Sequence, residues 1–580
     1  MNEAIARKQN VVEPIHKELC ETRGVSRLML MLALALGAFS VSLALLIGNI
    51  GFEGDDWWEF SWSYWFPFPQ SIWEYAKESS RPIEGIYGVL SFDTFGLNRL
   101  PYTLTSLFLA AGSCLLLANC LKRAFPEKSA QAILAAFLAF FLTPVSNLTY
   151  MIHTDNSRIS MLFFWCSVFA FQDWAASGSP WKRMILPAVL YLLGAFTYEN
   201  TTFLIFCIPF FLWPVYLQDP KKLSRHKFLI RLFVCIFVSF AIFLLTRFFI
   251  LSGGAVKQSS LIPPAGLVWS YVANLGYYCI YPVIEISRDP VSWLWAFPVA
   301  LVLSVFLYHC AKSVSNTGSK QRAVPWEQRQ LYVLILGSVM TVFGTIPYLM
   351  AGYNPDIGFT SQSRVYSAAS FGLAIVLAGL FTAPYSSRLR IPVRILAVAS
   401  VLLMAVFLAD LRKEWQQAEV ERSEVCRSLL NEAPQVEPKT TFLFMGLQSY
   451  IYRHGVAHAV IYQGVDGLGE WIKMLYGRKD VYAYFIYPRA EMVNDDKGRL
   501  AYASPSGFEA RGSIIRGKIP LDTILIFEKH RNKMKLLDSL SEKDNVAAIK
   551  WDGISEIQSN MNRILTEATG PTGLKSICRP

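Results

Sequence analysis

Charged residues are scarce in this chain of 580 residues. Asp, Glu, Lys and Arg together make up only 17% of it, whereas an average soluble domain carries about 25%. This deficit argues against a soluble multidomain enzyme, and an aromatic content of 14% argues against a disordered chain. The sequence also lacks a zinc-ligand spacing, and its C-terminal region has neither a GxGxxG motif nor a P-loop. Nothing in the sequence therefore points to nucleotide or zinc chemistry.

Apolar residues dominate instead. They make up 53% of the chain, and the mean hydropathy is +0.33. Apolar stretches of about 17–24 residues recur, each close to the roughly 20 that a helix needs to cross a bilayer. The predicted fold class is therefore an α-helical polytopic membrane protein. The pattern predicts about eleven transmembrane helices, near 28–50, 102–121, 130–147, 159–178, 184–198, 201–217, 228–250, 291–311, 331–351, 366–384 and 395–410.

The net charge of +11 must be divided by location before it is interpreted, because a basic protein of this size could also bind nucleic acid. With the N-terminus inside, the inner segments hold 22 Lys and Arg residues and the outer loops 8. This asymmetry is typical of a membrane protein with its short basic loops in the cytoplasm. The sequence thus predicts no nucleic-acid partner. The inner segments are 1–27, 122–128, 173–183, 219–231, 312–329 and 388–394.

The chain divides into three regions. Residues 1–27 form a cytoplasmic N-terminal segment, and 28–410 form the bundle, with long aromatic-rich outer loops at 51–101 and 251–290. Such loops are typical of helices that lie in the membrane interface beside a cavity. Residues 411–580 are predicted to be a small extracytoplasmic α/β domain.

Within that tail, an amphipathic helix is followed by four strand-like runs, at 440–446, 481–488, 522–528 and 545–551. Cys426 and Cys578 both lie in the tail and are candidates for a disulfide bond.

Two adjacent carboxylates, Asp55 and Asp56, follow the first predicted span by about five residues. Neighbouring carboxylates at an apolar cavity hold a proton more readily than isolated ones, which makes one of them a usable general base. The alternative is that they begin an interface helix, because Asp accepts the free N–H groups of a helix start.

Four further positions lie next to the outer ends of predicted spans. Arg81 precedes a helix, where an arginine either extends to the lipid headgroups or clamps a phosphate. Tyr198 and Glu199 occupy a tight turn, and we expect Glu199 to face a polar interior. Arg364 is the cation best placed for a lipid phosphate.

Weaker signals accompany these positions. Arg247 belongs to the same set of outer-loop cations. His153 and Asp155 could help to bind a divalent ion; the alternative is that Asp155 or Asn156 caps the following span. His454 and His458 are four residues apart, but they lack a third ligand and do not predict a metal site.

Together these residues resemble the GT-C superfamily of membrane glycosyltransferases, which use polyprenyl-phosphate sugars. The resemblance covers roughly residues 28–410 and is strongest to the bacterial branch that modifies surface polysaccharides. No WWD signature of oligosaccharyltransferases is present, since the tryptophan pair here follows the aspartate pair. The pairs that carry the resemblance are Asp55 with Asp56, Arg81 with Pro82, and Tyr198 with Glu199.

The resemblance implies an outward-facing site in the bacterial inner membrane, where a prenyl-phosphate sugar meets a glycan or lipid acceptor. Asp55 or Asp56 would deprotonate the acceptor hydroxyl. Arg364, with Arg81 or Arg247, would stabilise the charge that grows on the departing phosphate. No cofactor is required; a divalent cation such as Mg²⁺ or Mn²⁺ is compatible with the site but not needed, because fixed arginines can neutralise a monophosphate. The implied substrate-binding residues are Arg81, Asp155, Tyr198, Glu199, Arg247 and Arg364.

Two other functions stay open. A transporter or flippase for lipid-linked glycans predicts ionisable residues in mid-span and broken helices at symmetrical positions. A polymerase or ligase of the O-antigen type would act on the same lipids through outer-loop Arg and His, without the paired aspartates.

Overall fold

The computed structural model describes residues 27–536, and it does so with internal gaps. The gaps are residues 49, 80, 143–147, 152–153, 178–180, 219–223, 248–264, 317–325, 351–365, 384, 448–449, 455, 463, 487–490, 495–498, 504–518, 521–523 and 531–532.

Helices dominate the chain up to residue 432. They are α1 (Arg27–Ile47), α2 (Gly54–Trp65), α3 (Gln70–Ser79), α4 (Pro82–Phe95), α5 (Arg99–Ala124), α6 (Ser129–Phe141), α7 (Asp155–Ala176), α8 (Ile185–Thr197), α9 (Ile208–Gln218), α10 (Arg225–Leu245), α11 (Ala265–Ile284), α12 (Pro290–Asn316), α13 (Trp326–Met350), α14 (Ser367–Phe381), α15 (Ser387–Asp410) and α16 (Arg412–Glu432). Short 3₁₀ segments connect some of them, at Pro126–Lys128, Leu148–Tyr150, Trp181–Met184 and Glu199–Cys207.

Eight helical stretches among the described residues are long and apolar enough to cross a membrane, which makes the protein a polytopic membrane protein. They are Arg27–Ile47, Arg99–Ala124, Asp155–Ala176, Glu199–Gln218, Arg225–Leu245, Pro290–His309, Gln328–Met350 and Arg388–Glu432.

Three of the predicted spans form shorter helices. The 130–147 region contains α6 with 13 residues, the 184–198 region α8 with 13, and the 366–384 region α14 with 15. Helix α6 is buried at every residue from Gln131 to Phe141, against α5, α12, α14 and α15. A helix that is apolar all round belongs inside a bundle. Protein rather than lipid therefore surrounds α6, so it needs less than the full membrane thickness.

The outside of the bundle is apolar. Leu34 on α1, Phe237 on α10, Leu294 on α12 and Ile391 on α15 are between 59% and 74% exposed. Isolated exposed leucines are normal in soluble proteins, but side chains of this kind recur along most of the long helices. This belt fits the acyl chains of a bilayer.

The helices alternate in direction, so their ends meet at two opposite faces of the bundle. At one face the last turns of α5 and α7 are joined by Arg123 and Asp173, 2.6 Å apart. Arg329, near the start of α13, pairs there with Glu127 before α6, also at 2.6 Å. We call this face the opposite end.

At the other face, the helices that run toward it end and the helices that run away from it begin. Arg247, just after α10, pairs with Glu199 at the start of a 3₁₀ segment. The Ser287 hydroxyl, just before α12, donates to Asp410 at the end of α15 over 2.7 Å. We call this face the site end, and the C-terminal tail begins there.

Helices α13 and α14 pack in near backbone contact. A Cβ added to Gly372 would lie 2.4 Å from the Thr341 backbone nitrogen and 2.6 Å from the Gly337 carbonyl oxygen. A Cβ on Gly344 would lie 2.7 Å from the Ala369 nitrogen. Small residues let membrane helices approach this closely, since dispersion rather than water exclusion drives their association.

We predict that Gly372→Ala destabilises the bundle by about 1–3 kcal/mol, because the added methyl group meets backbone atoms that cannot move aside. Thermal unfolding of the purified protein in detergent measures the change. Gly276→Ala is the matched control, since Gly276 is also helical but has no atom within 4 Å of the added Cβ. Equal melting temperatures for the two variants would contradict the prediction.

The two predicted outer loops are mostly helical. The first contains α2, α3 and α4, which pack on one another and place Trp58 and Trp62 around Tyr75, with ring centroids 5.1 and 6.2 Å apart. The second contains the 20-residue helix α11. At 1.5 Å per residue this helix is about 30 Å long. The aromatic residues that suggested a loop therefore belong to one continuous helix.

The tail contains a small sheet region. Strands β1 (Thr441–Met445), β4 (Tyr482–Ile486) and β8 (Ile524–His530) are parallel, and β9 (Lys533–Leu536) adds an antiparallel edge, in the order β4-β1-β8-β9. The remaining elements are the hairpin of β2 (Tyr450–Arg453) and β3 (Val456–Val460), helix α17 (Gly464–Tyr476), and the antiparallel strands β5 (Glu491–Asn494), β6 (Arg499–Ala503) and β7 (Ile519–Pro520).

Three of the four predicted strands therefore exist, and the fourth, 545–551, lies outside the described residues. Consecutive side chains of β1 and β8 are buried, so both faces of the sheet are covered, and the Phe442 ring lies 5.9 Å from Phe527 and 5.2 Å from Tyr476. Cys426 is disulfide-bonded. Its predicted partner, Cys578, is also beyond the described part of the chain.

An ionic junction fixes the tail to the bundle. Arg453 of β2 donates to Asp410 over 2.7 Å and lies 3.3 Å from Glu414. His454 contacts Glu285, and His458 Nε2 lies 3.0 Å from the Tyr281 hydroxyl of α11. The two histidines thus contact different residues, His454 the Glu285 carboxylate and His458 the Tyr281 hydroxyl.

We predict that acid weakens the contribution of His458 to this junction. Burial, with help from the charge of Arg453, lowers the pKa of His458 from its usual 6.5 to about 4. Unfolding releases the imidazole to take a proton, so the stability that it contributes is present above pH 6.5 and is lost as the pH falls toward 4. The loss is at most about 3 kcal/mol. Melting temperatures between pH 7.5 and 4.5 test this, and the parent should lose stability relative to His458→Gln as the pH falls. An unchanged pH slope in that variant would contradict the assignment.

Candidate functional site

A forked ion pair forms the accessible part of the site end. Arg81 Nε donates to Glu199 Oε1 over 3.1 Å, and its Nη2 lies 2.9 Å from Oε2. The guanidinium also lies over the Tyr198 ring, 4.5 Å from its centroid. Burial opposes the charged guanidinium, but the Glu199 and Glu84 carboxylates outweigh it and raise the pKa of Arg81 well above its ordinary value. Arg81 therefore stays charged throughout the physiological range.

Local chain geometry explains this placement. Pro82 occupies the first turn of α4, where its missing N–H costs nothing. Arg81 therefore occupies the N-cap position of the helix, and its side chain is not used for capping. Tyr198 is an extended residue with φ −157° and ψ 141° between α8 and the following 3₁₀ segment. The predicted tight turn is therefore real, and it directs Glu199 toward Arg81.

Arg247 is the second arginine on the same carboxylate. Its Nη2 contacts Glu199 Oε1. Glu199 is its only hydrogen-bond partner in the part of the chain that the structure describes, and its side chain is 18% exposed. Among the described residues, the Glu199 carboxylate thus occupies a single nitrogen of Arg247. Arg81, by contrast, also donates from Nη1 to Glu84 over 3.2 Å.

Glu84 leads from this pair into the protein. Its carboxylate accepts from Asn156 Nδ2 in addition to Arg81. Asn156 is buried in the first turn of α7 and follows Asp155 in the chain. A hydrogen-bonded connection thus runs from the exposed arginines to the start of a membrane-spanning helix.

Asp155 is fully buried and well bonded. One carboxylate oxygen accepts from the Tyr87 hydroxyl over 2.7 Å and the other from the Ser106 hydroxyl, which also contacts Arg158. Arg158 Nη1 lies 3.9 Å from the same carboxylate. Of the two interpretations left open for Asp155, helix capping is wrong, because its oxygens point to neighbouring helices; Thr154 is the capping residue and makes no side-chain capping bond.

Asp56 lies at the far end of the same connection. Arg158 donates to the Thr149 hydroxyl over 2.7 Å, and Arg99 Nη2 lies 3.4 Å from the Thr149 carbonyl. Arg99 Nη1 pairs with Asp56 Oδ2 at 3.3 Å, and both side chains are at most 1% exposed. Asp56 also accepts the Glu53 backbone N–H over 3.1 Å in a capping box at the start of α2.

The predicted aspartate pair is therefore split between two environments. Asp56 has the helix-start role that was the alternative to catalysis, although Glu53 rather than Asp55 is the capping residue. Asp55 precedes it in the first turn of α2 and is partly exposed.

These contacts form one unit, which we call the site network. It contains four arginines and four carboxylates, so its formal charges balance. Exposure decreases along it, from 26% and 21% at Arg81 and Glu199 to 3% or less at Arg158 and Arg99. The members are Arg81, Arg99, Arg158, Arg247, Asp56, Glu84, Asp155 and Glu199, joined through Tyr87, Ser106, Thr149 and Asn156.

Sequence reasoning found five of the eight charged members as site residues: Asp56, Arg81, Asp155, Glu199 and Arg247. Arg99, Arg158 and Glu84 are visible in the sequence as ions near span ends, and the spacing of three between Arg81 and Glu84 is a usable signal. Tyr87 and Ser106 carry no such signal, because uncharged side chains within apolar helices are not distinctive. Arg364 and His153 lie outside the described residues.

No set of three or more His, Cys, Asp and Glu side chains suited to a metal ion occurs in the described part of the chain. The carboxylates of the site network are bonded to arginines and hydroxyl groups instead.

Comparisons with protein-family models and with curated proteins find no match to this chain. The function proposed for it therefore rests on the geometry of the site network.

We predict that Glu199→Gln destabilises the site end by about 1–3 kcal/mol. In the variant Arg81 and Arg247 would share a neutral amide in place of the negatively charged carboxylate. Glu78→Gln on α3 is the matched control, since Glu78 is exposed. Thermal unfolding in detergent compares the two variants. A Glu199→Gln protein as stable as the control would show that the forked pair contributes nothing.

Proposed function

We propose that this protein is a membrane glycosyltransferase of the GT-C type. It would move a sugar from a polyprenyl-phosphate donor to a glycan or lipid acceptor at the site end, which we place on the extracytoplasmic face of a bacterial inner membrane. The observation that carries the proposal is the Arg81–Glu199–Arg247 triad, two partly exposed arginines fixed at the end of membrane-spanning helices.

The triad suits a lipid phosphate. Phosphate oxygens accept hydrogen bonds from guanidinium groups at close to ideal geometry. A prenyl phosphate carries its charge at headgroup depth, the depth that we assign to these arginines because they lie at the site end of the bundle. Arg247 is the stronger candidate for direct contact because Glu199 uses only one of its N–H groups. Arg81 is held by two carboxylates and would act mainly by its charge.

The reaction needs a base and a stabilised leaving group. Asp55 would accept the proton of the acceptor hydroxyl while that oxygen attacks the anomeric carbon. The bond from the anomeric carbon to the phosphate oxygen breaks, and the negative charge grows on the prenyl phosphate beside Arg247. Asp55 is preferred to Asp56 as the base because Asp55 is partly exposed, whereas Asp56 is fully buried.

The buried members then have a positioning role. Asp155 has no exposed side-chain surface, so we assign it to holding Tyr87 and Ser106 rather than to substrate contact. Glu199 orients the two arginines, and the Tyr198 ring packs against the Arg81 guanidinium. A divalent cation remains compatible with the site through Asp55 and the donor phosphate, and the mechanism does not require it.

The distribution of charge favours an enzyme over a transporter. The site network joins residues at the ends of helices at one face of the bundle, whereas alternating access needs a binding site near the middle of the membrane. A polymerase or ligase acting on lipid-linked glycans would use the same arginines, and it would not depend on Asp55.

Arg247→Ala should lower the release of prenyl phosphate from a supplied prenyl-phosphate sugar by roughly 10²–10³-fold, as expected when a donor to a developing anion is removed. Arg231→Ala is the control, because Arg231 lies on the same helix at the opposite end. Purified protein in detergent or nanodiscs is assayed for prenyl phosphate. Equal rates for the two variants would remove the main support for the proposal.

Asp55→Asn should abolish transfer with little effect on donor binding, because the amide cannot take a proton. Asp56→Asn should mainly lower the melting temperature, since it disturbs the pair with Arg99. Initial rates and binding of the donor to each variant separate the two effects. Full activity of Asp55→Asn would show that Asp55 is not the base.

A further inference from the structure

The first helix of the tail reaches the buried half of the site network. Trp415 of α16 is fully buried, and its ring stacks on Tyr150 with centroids 5.5 Å apart and planes at 10°. The Tyr150 hydroxyl donates to the Leu408 carbonyl over 2.8 Å. Tyr150 therefore sits between the bundle and the tail, and it follows Thr149, which accepts from both Arg99 and Arg158.

A second contact joins the same helix to the same network. The Glu419 carboxylate lies against the Cα of Gly51, where an added Cβ would be 1.9 Å from Glu419 Oε2. The Gly51 carbonyl is 3.4 Å from Arg99 Nη1. Any side chain larger than that of glycine at position 51 would make Glu419 move, so the tail helix and the chain entering α2 are in close contact here.

Glu419 is itself held in place. Arg422 donates to it from Nε and Nη2 over 3.1 and 2.8 Å, and Arg422 Nη1 donates to the Val460 carbonyl of β3 over 2.8 Å. The contact on Gly51 is thus connected to the β2–β3 hairpin of the tail, beyond α16 itself.

We infer that α16 is a positioning element of the site, in which Trp415 and Glu419 hold the Arg99–Asp56 pair and with it the start of α2. The tail would then be part of the functional unit and not an accessory domain. Asp55 lies in that first turn of α2, so this inference deepens the function proposed above and, for its catalytic consequence, rests on it.

The structural half of the inference is tested by hydrogen–deuterium exchange of the full-length protein, measured below the melting temperature of each variant. Trp415→Ala should speed exchange of the segment 51–58 about tenfold, because the start of α2 loses its support. Trp415→Phe keeps an aromatic ring on Tyr150 and should stay within about twofold of the parent.

Phe442→Ala is the control. Phe442 is as buried as Trp415 but lies in the sheet of the tail, so this variant should speed exchange in β1 and leave 51–58 unchanged. Unchanged exchange of 51–58 in Trp415→Ala, or an equal increase in Phe442→Ala, overturns the inference.

A paired substitution tests the second contact. Gly51→Ala should speed exchange of 51–58, because its methyl group displaces Glu419. Combining it with Glu419→Ala makes room for that methyl group, so the double variant should exchange more slowly than the sum of the two single effects predicts. Additive effects would show that Gly51 and Glu419 are not coupled.

Turnover of a prenyl-phosphate sugar separates this inference from the proposed function. If the parent transfers sugar, Trp415→Ala should lower kcat about tenfold with KM for the donor changed by less than about twofold, and Trp415→Phe should recover most of the loss. If the parent shows no turnover but exchange changes as expected, the positioning role stands and the glycosyltransferase proposal fails. If Trp415→Ala speeds exchange of residues 51–58 but leaves turnover unchanged, the catalytic role of α16 is wrong.

Discussion

The constraint on which this structure depends is that charges at the end of a membrane bundle must be neutralised locally. Water is scarce there, and an ion that loses its partner inside a protein costs about 3–5 kcal/mol. The site network meets this constraint with equal numbers of arginines and carboxylates, each bonded to a member on a different helix or segment. Because Arg99, Asp155 and Glu199 begin three successive membrane-crossing stretches, neutralisation also fixes how those stretches are arranged.

The same balance explains how part of the network remains available for a ligand. In its buried half each aspartate is held by more than one donor, Asp155 by hydroxyl groups and Asp56 by Arg99 and a backbone N–H. At the exposed half, two arginines share Glu199, and among the described residues Arg247 bonds to that carboxylate alone. An anion could enter only at that half, where a rigid framework already holds the positive charge.

The tail uses a similar principle at a second place. Asp410, Glu285 and Arg453 join the hairpin to the bundle close to where α15 ends, while Trp415 and Glu419 contact the site network. Two independent sets of contacts therefore place the tail over the site end. Such a double attachment resists rotation of the tail about a single hinge.

Several features were determined by the sequence alone. Apolar runs of membrane-spanning length predict helices, and short strand-like runs separated by polar segments predict strands in the tail, since both are local patterns. Arg81 and Glu199 were recognisable because ions next to apolar spans are costly. Only the tertiary structure decided that α6 lies inside the bundle, that Asp56 pairs with Arg99, and that Trp415 lies on Tyr150. Those contacts join residues between 43 and 265 positions apart, and pairing over such distances depends on how helices pack rather than on any local pattern.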